Sequence, residues 1–172
     1  MMETQLRVNQ PVFICGNIED VSYRMTEFAC RLVDDGNRIM YLDTINAINS
    51  MSANPYTSIL KKNMLYNICL IKAETHYEIW TKLAKAEEFI KSKGIEVLII
   101  NSLSQCFADA DELEIMPVLN HIMKLVNYLS RKYHLAVLIG NSSSDNTKVM
   151  MVFRILEEKN IATLSLKKVC DM

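Results

Sequence analysis

The chain has no excess of charge of either sign. Its 172 residues carry 19 lysines and arginines against 20 aspartates and glutamates, a formal net charge of −1. No global basic field therefore draws it to nucleic acid, and any DNA contact must come from a local patch or from a partner. It also lacks a long apolar run: none approaches the roughly 18 residues that a membrane span requires, so no membrane is expected. Met1 to Leu6 does not place an apolar stretch behind a basic one, so no signal peptide is expected either. The five cysteines, Cys15, Cys30, Cys69, Cys106 and Cys170, include no C-x-x-C pair, and Cys15 and Cys69 fall inside expected buried strands. Reduced thiols in an intracellular, soluble protein follow from that pattern. His76, His121 and His134 form no H-x-x-x-H or Cys/His cluster, which argues against a metal centre. Internal repeats, linkers and low-complexity segments are missing as well. The length suits one domain over residues 1–172, and such a chain buries roughly 70% of its unfolded surface without staples.

What is present is organised around Val12 to Gly36. Val12-Phe13-Ile14-Cys15 reads as a strand and Gly16 to Asp20 as a sharp turn. Val21, Met25, Phe28, Ala29, Leu32 and Val33 then recur on one helical face. Gly36 stands where a left-handed cap is expected. A phosphate-binding loop would occupy this first strand-to-helix turn. Laid over G-x-x-x-x-G-K-[ST] from Gly16, the chain offers Val21 for the second glycine, Ser22 for the lysine and Tyr23 for the hydroxyl residue. The frame of a phosphate loop is there without its chemistry.

Further along, Leu6 and Val8 alternate in a polar opening that suits an edge strand or an ordered tail. Arg38 to Asp43 reads as a second strand, Thr44 to Asn54 as irregular, Asn54-Pro55 as the start of a short helix to about Lys62, and Asn67 to Ile71 as a third strand. Thr75 with Glu78 makes a capping box, opening one long helix that ends at Gly94. Its inner residues are Ile79, Leu83, Ala86 and Ile90. Glu96 to Asn101 has the near-continuous apolar character of a central parallel strand. A loop with Asp109, Asp111 and Glu112 leads to a helix through Leu119 to Tyr133, with Pro117 in its first turn. Leu135 to Asn141 is a fifth strand, and Ser142 to Lys148 a polar loop. Val149 to Ile155 and Ile161 to Lys167, around Glu157-Glu158-Lys159-Asn160, read as a β-hairpin. The expected architecture is α/β: a mostly parallel sheet flanked by helices and ending in an antiparallel hairpin.

From about Pro11 to Lys168, this ordered series resembles the RecA/RadA recombinase ATPases and their paralogues, RadB-like proteins among them. Gly36 to Thr44 is similar to the family's strand ending in aspartate-threonine-glutamate, and Val97 to Leu103 to its Walker B strand. Tyr133 to Asn141 is similar to the strand ending in threonine-asparagine-glutamine, and the closing pair to the family's last two strands. The resemblance implies a RecA-like, P-loop NTPase-type fold, and the departures from it fall on working positions. Beyond Val21, Ser22 and Tyr23, Asn101 stands for the metal-linked aspartate, Ile45 for the catalytic glutamate and Ser142 for the nucleotide-sensing glutamine. Asn101 supplies no charge to a magnesium shell, and Ile45 cannot orient or deprotonate a water. Glu19 and Asp20 put two carboxylates where a triphosphate would sit, and the missing lysine forfeits charge-assisted bonds of about 1.5–3 kcal/mol each. The expectation is an inactive ATPase with a degenerate nucleotide site, no cofactor and no catalytic residue.

The first DNA loop of the family would lie near Ala108 to Ile115, acidic here, and the second at Ser142 to Lys148, which is short. No F-x-x-A element precedes the core, so filament formation by this chain alone is not expected. The implied role is a non-catalytic accessory subunit in homologous recombination and DNA repair. Its partner would be another RecA-fold protein, or a second copy in a dimer, with DNA contacted through the complex. The location would be the nucleus of a eukaryote or the cytoplasm of an archaeon or bacterium. Lys148, Arg154 and Lys167 are the candidate DNA contacts, joined in sequence by Lys159 and Lys168. Two alternatives remain: a KaiC-type regulatory protein that binds nucleotide in an altered way, and a purely structural interaction module.

Overall fold

The computed structural model describes residues 11–45, 66–159 and 163–165. The expectations for residues 1–10, for the stretch from Asn46 through the helix ending at Lys62, and for Lys167, Lys168 and Cys170 lie outside these residues. The protein is α/β. Six strands, β1 (Val12–Asn17), β2 (Ile39–Asp43), β3 (Ile68–Lys72), β4 (Val97–Ile100), β5 (Ala136–Ser143) and β6 (Thr163–Ser165), form one sheet in the order β3-β2-β4-β5-β1-β6. Every pairing among them is parallel. Helices α1 (Ile18–Asp34), α2 (His76–Ala84), α3 (Ala86–Lys93), α4 (Glu112–Tyr133) and α5 (Thr147–Lys159) flank it.

Strand alternation divides the core in two. Val12, Ile14, Ile39, Tyr41 and Ile99 face α1, meeting its Val21, Met25, Ala29 and Val33. Phe13, Cys15, Met40, Leu42 and Ile100 face the opposite layer, where Ile79, Ile90, Ile122 and Val152 represent α2 to α5. Burial on both sides explains the unbroken apolar runs of β2 and β4, and each such side chain contributes about 1.5–3 kcal/mol by leaving water. Helix α1 ends in a Schellman motif: Gly36, at φ +87°, donates to the Val33 carbonyl, and Asn37 donates to that of Leu32.

The antiparallel hairpin does not form. Thr147 to Lys159 is helical, and β6 pairs parallel with β1. Val149, Val152 and Leu156 are buried, a helical spacing that the β-branched and methionine-rich composition conceals. Asn146 starts the helix, its Oδ1 accepting from the amides of Lys148 and Val149. The single long helix from Thr75 is two, separated at Lys85, although Ile79, Leu83, Ala86 and Ile90 are its buried residues as expected. Helix α4 begins at Glu112, capped by Asp111, so Pro117 lies inside it and removes one backbone bond. Cys69 is half-buried rather than buried, because β3 is an edge strand.

Candidate functional site

Ligands of open parallel sheets bind beyond the carboxyl ends of the strands. In this chain that edge combines a network of hydroxyl and amide groups with the buried carboxylate of Asp43 at the end of β2. The β1–α1 turn comes first. Helix α1 begins at Ile18, the residue after β1 ends, so no loop exists to wrap a phosphate. Gly16 is part of the strand, paired in register with Ser142, and does not have a positive φ. Asn17 caps the helix instead. Its Oδ1 accepts from the Asp20 amide at 2.9 Å, and its Nδ2 donates to Asp20 Oδ2 at 2.5 Å. That amide is occupied by the cap, and Glu19 and Asp20 place negative charge against the positive end of the helix. The residues laid over the phosphate-loop pattern diverge. Val21 is fully buried in the core, Ser22 is half-buried with its carbonyl accepting from Thr26, and Tyr23 is exposed.

The ends of β2, β4 and β5 converge beside this turn. Thr44 Oγ1 donates to the Ser102 carbonyl and accepts from the Ser102 amide, both at 3.0 Å. The Ser102 and Ser142 hydroxyls are in contact. Ser104 Oγ donates to the Ser142 carbonyl at 2.7 Å and accepts from its amide at 3.1 Å. Gln105 Nε2 reaches Ser142 Oγ at 2.9 Å. Ser102, Ser104 and Ser142 have no exposed surface, so this lattice ties three strand ends to the 3-10 turn Ser104–Phe107. Ser142, expected at a nucleotide-sensing position, works as its central node. Ser104 and Gln105 were not singled out in the sequence; a serine-rich strand end is too common a signal to do so.

Asn101 is completely buried just past β4, and neither side-chain atom finds a hydrogen-bonding partner among the described residues. Its carbonyl lies so close to Gly140 that a Cβ there would sit 1.5 Å away, with Val21 Cγ1 at 2.8 Å. Gly140 is therefore required by contact, since any side chain would force β4 and β5 apart. The structure thus brings Val21 and Asn101 together across Gly140. Ile45 lies next to Thr44, its amide donating to Asp43 Oδ1 at 3.4 Å. Gly16, Val21, Ile45, Asn101 and Ser142 share this edge, while Tyr23 points away from it.

The candidate DNA contacts occupy a helix rather than a hairpin. Lys148 is half-buried in the first turn of α5 and Arg154 is exposed further along it. Arg154 and its half-buried neighbour Phe153 are thus set apart by helical rotation. Between Ser143 and Thr147 only a short turn remains where a second DNA loop would be, and Asn146 Nδ2 pins it to the Ala108 carbonyl. Cys15, Cys30, Cys69 and Cys106 are unpaired, and burial raises the thiol pKa of each. Among the described residues no cluster of histidine, cysteine or carboxylate suits a metal ion, and no helix is long and apolar enough to cross a membrane.

An all-parallel sheet with helices on both faces and polar strand ends defines a protein of the broad Rossmann or P-loop-like α/β class. No protein-family model and no curated protein matches the chain.

Proposed function

We propose that the protein is a non-catalytic subunit of RecA-like fold that pairs with another RecA-fold protein in recombination and DNA repair. The observation that carries the non-catalytic half is the β1–α1 junction, where a capped helix replaces the loop that phosphates require. The RecA-like half is supported by convergence. The three segments that resemble the family's working strands end on β2, β4 and β5, side by side at the edge where β1 hands over to α1. A hydroxyl and amide lattice ties these ends together, next to the buried Asp43 at the end of β2. What such a module keeps is its surface, and its role is to pack against a partner and contact DNA through the complex, with Lys148 and Arg154 as the described cations nearest that task.

Calorimetric titration with Mg-ATP tests the first half. The expected result is no binding, for the chain and equally for Ser22→Lys, because Val21, Glu19 and Asp20 remain; a micromolar dissociation constant sinks the reading. Recovery of the tagged chain from its own cells, with identification of what accompanies it, tests the second half. A RecA-fold subunit is expected, and a chain recovered alone or only with unrelated proteins overturns the pairing.

A further inference from the structure

The chain's single tryptophan lies at the surface. Trp80 is 39% exposed and Tyr77, one turn earlier on α2, is 43% exposed. The buried residues of α2 are His76, Ile79 and Leu83, so both aromatic rings occupy its outer flank, beside α4. Trp80 lies 5.9 Å from His121 of α4 and 6.5 Å from Tyr77. Tyr77 in turn lies 4.3 Å from His76, which stacks at 5.2 Å on the buried Phe107. The rings form a series from core to surface, and its outer members are propped from beneath. Aromatic surface held this way loses little freedom when something binds to it.

The charge beside these rings is negative. Asp109, Asp111, Glu112 and Glu114 are all exposed, and none forms an ion pair with a lysine or arginine among the described residues. Glu114 approaches His76 Nε2 to 4.0 Å, and the neighbouring carboxylates of Glu114 and Asp111 raise the pKa of the Tyr77 phenol. His76 is 6% exposed, and its Nε2 has no hydrogen-bonding partner among the described residues. Capping of α4 accounts for Asp111. The positive end of the same helix favours Glu114 in its first turn, and what remains unexplained is the pair of exposed rings beside these carboxylates.

We propose that the seam between α2 and α4 binds an arginine-bearing segment of a partner protein, a guanidinium stacking on Trp80 and Tyr77 while Glu114 and Asp111 accept its hydrogen bonds. A planar guanidinium can stack on a ring and fork onto a carboxylate at once, which a lysine ammonium cannot. The same carboxylates repel nucleic acid. This inference goes beyond the recombination reading, since it requires neither DNA nor a nucleotide.

A fluorescein-labelled synthetic peptide, with arginines spaced by alanine and leucine, tests it by anisotropy against the full chain. Trp80 emission is followed with the unlabelled peptide. Saturable binding is expected, with the emission of Trp80 changing at the same midpoint. Citrulline in place of arginine should weaken binding at least about tenfold, and Tyr77→Ala and Glu114→Gln each about fivefold, with circular dichroism unchanged. Glu114→Gln alters an exposed carboxylate and keeps the test open should Tyr77→Ala fail to fold. The proposal is overturned by absence of saturable binding, by equal affinity for the citrulline peptide, or by undiminished binding to folded variants. It is equally overturned if single-stranded oligothymidylate produces the same Trp80 response.

Discussion

Asn101 is an uncharged amide at the carboxyl edge of the sheet, and its surroundings show why a carboxylate would not be tolerated there. The residue is fully buried, its side-chain atoms lack partners among the described residues, and its carbonyl is pressed against Gly140. A buried amide without hydrogen bonds costs free energy that an apolar side chain of similar size does not. Asn101→Leu is therefore expected to raise stability by about 1–2 kcal/mol. Asn101→Asp should lower it by about 3 kcal/mol, because the carboxylate would be buried without a counter-ion. Urea denaturation of the two variants checks both signs. A loss of stability in Asn101→Leu would show that the amide makes a bond of real weight.

Among the elements, α2 and β4 carry the contrast between local and tertiary stabilisation. Thr75 caps α2, its Oγ1 accepting from the Glu78 amide at 3.2 Å, while Glu78 reaches back to the Glu74 amide at 2.7 Å. Thr75→Ala should cost about 1 kcal/mol, the usual worth of an exposed cap. Ile99, fully buried in β4, should cost about 2–5 kcal/mol on truncation to alanine, through the cavity left between sheet and α1. Similar denaturation midpoints for the two variants would contradict the central place of β4. The capping signal was legible in the sequence because it is local: Thr75, Glu78 and Gly94 act within a few residues of themselves. The identity of α5 was not. Val149, Met151, Phe153 and Ile155 alternate as a strand would, while Val149, Val152 and Leu156 recur as a helix does, and only packing against the sheet chose the second pattern.

Across the whole molecule, burial on both faces of the sheet leaves protonated groups that resist ionisation. Cys15 and Cys106 belong to the helix-rich side and Tyr41 to the α1 side. Desolvation raises the thiols above their ordinary 9.0 and the Tyr41 phenol above 10.0. Unfolding returns each to its ordinary value, so above that pH the unfolded chain releases protons that the folded chain retains. The stabilising contribution is complete below about pH 9 and is lost progressively as pH rises toward the folded values. The urea midpoint should accordingly fall from about pH 9 upward. A midpoint unchanged to about pH 11 would mean that these groups ionise in the folded protein without penalty.

The sequence by itself determined the α/β class, the opening strand and helix, the Gly36 and Gly94 caps and the apolar strands β2, β4 and β5. Each of these follows from periodicity, or from a backbone requirement contained within one segment. Tertiary structure alone decided that α1 starts without a loop, that residues 147–159 are helical, and that Thr44, Ser102, Ser104 and Ser142 meet. It likewise decided that Gly140 must remain bare beside Asn101. Hydroxyl pairs and close backbone approaches join residues distant in the chain, and their partners are chosen by strand order and register, which no local pattern encodes.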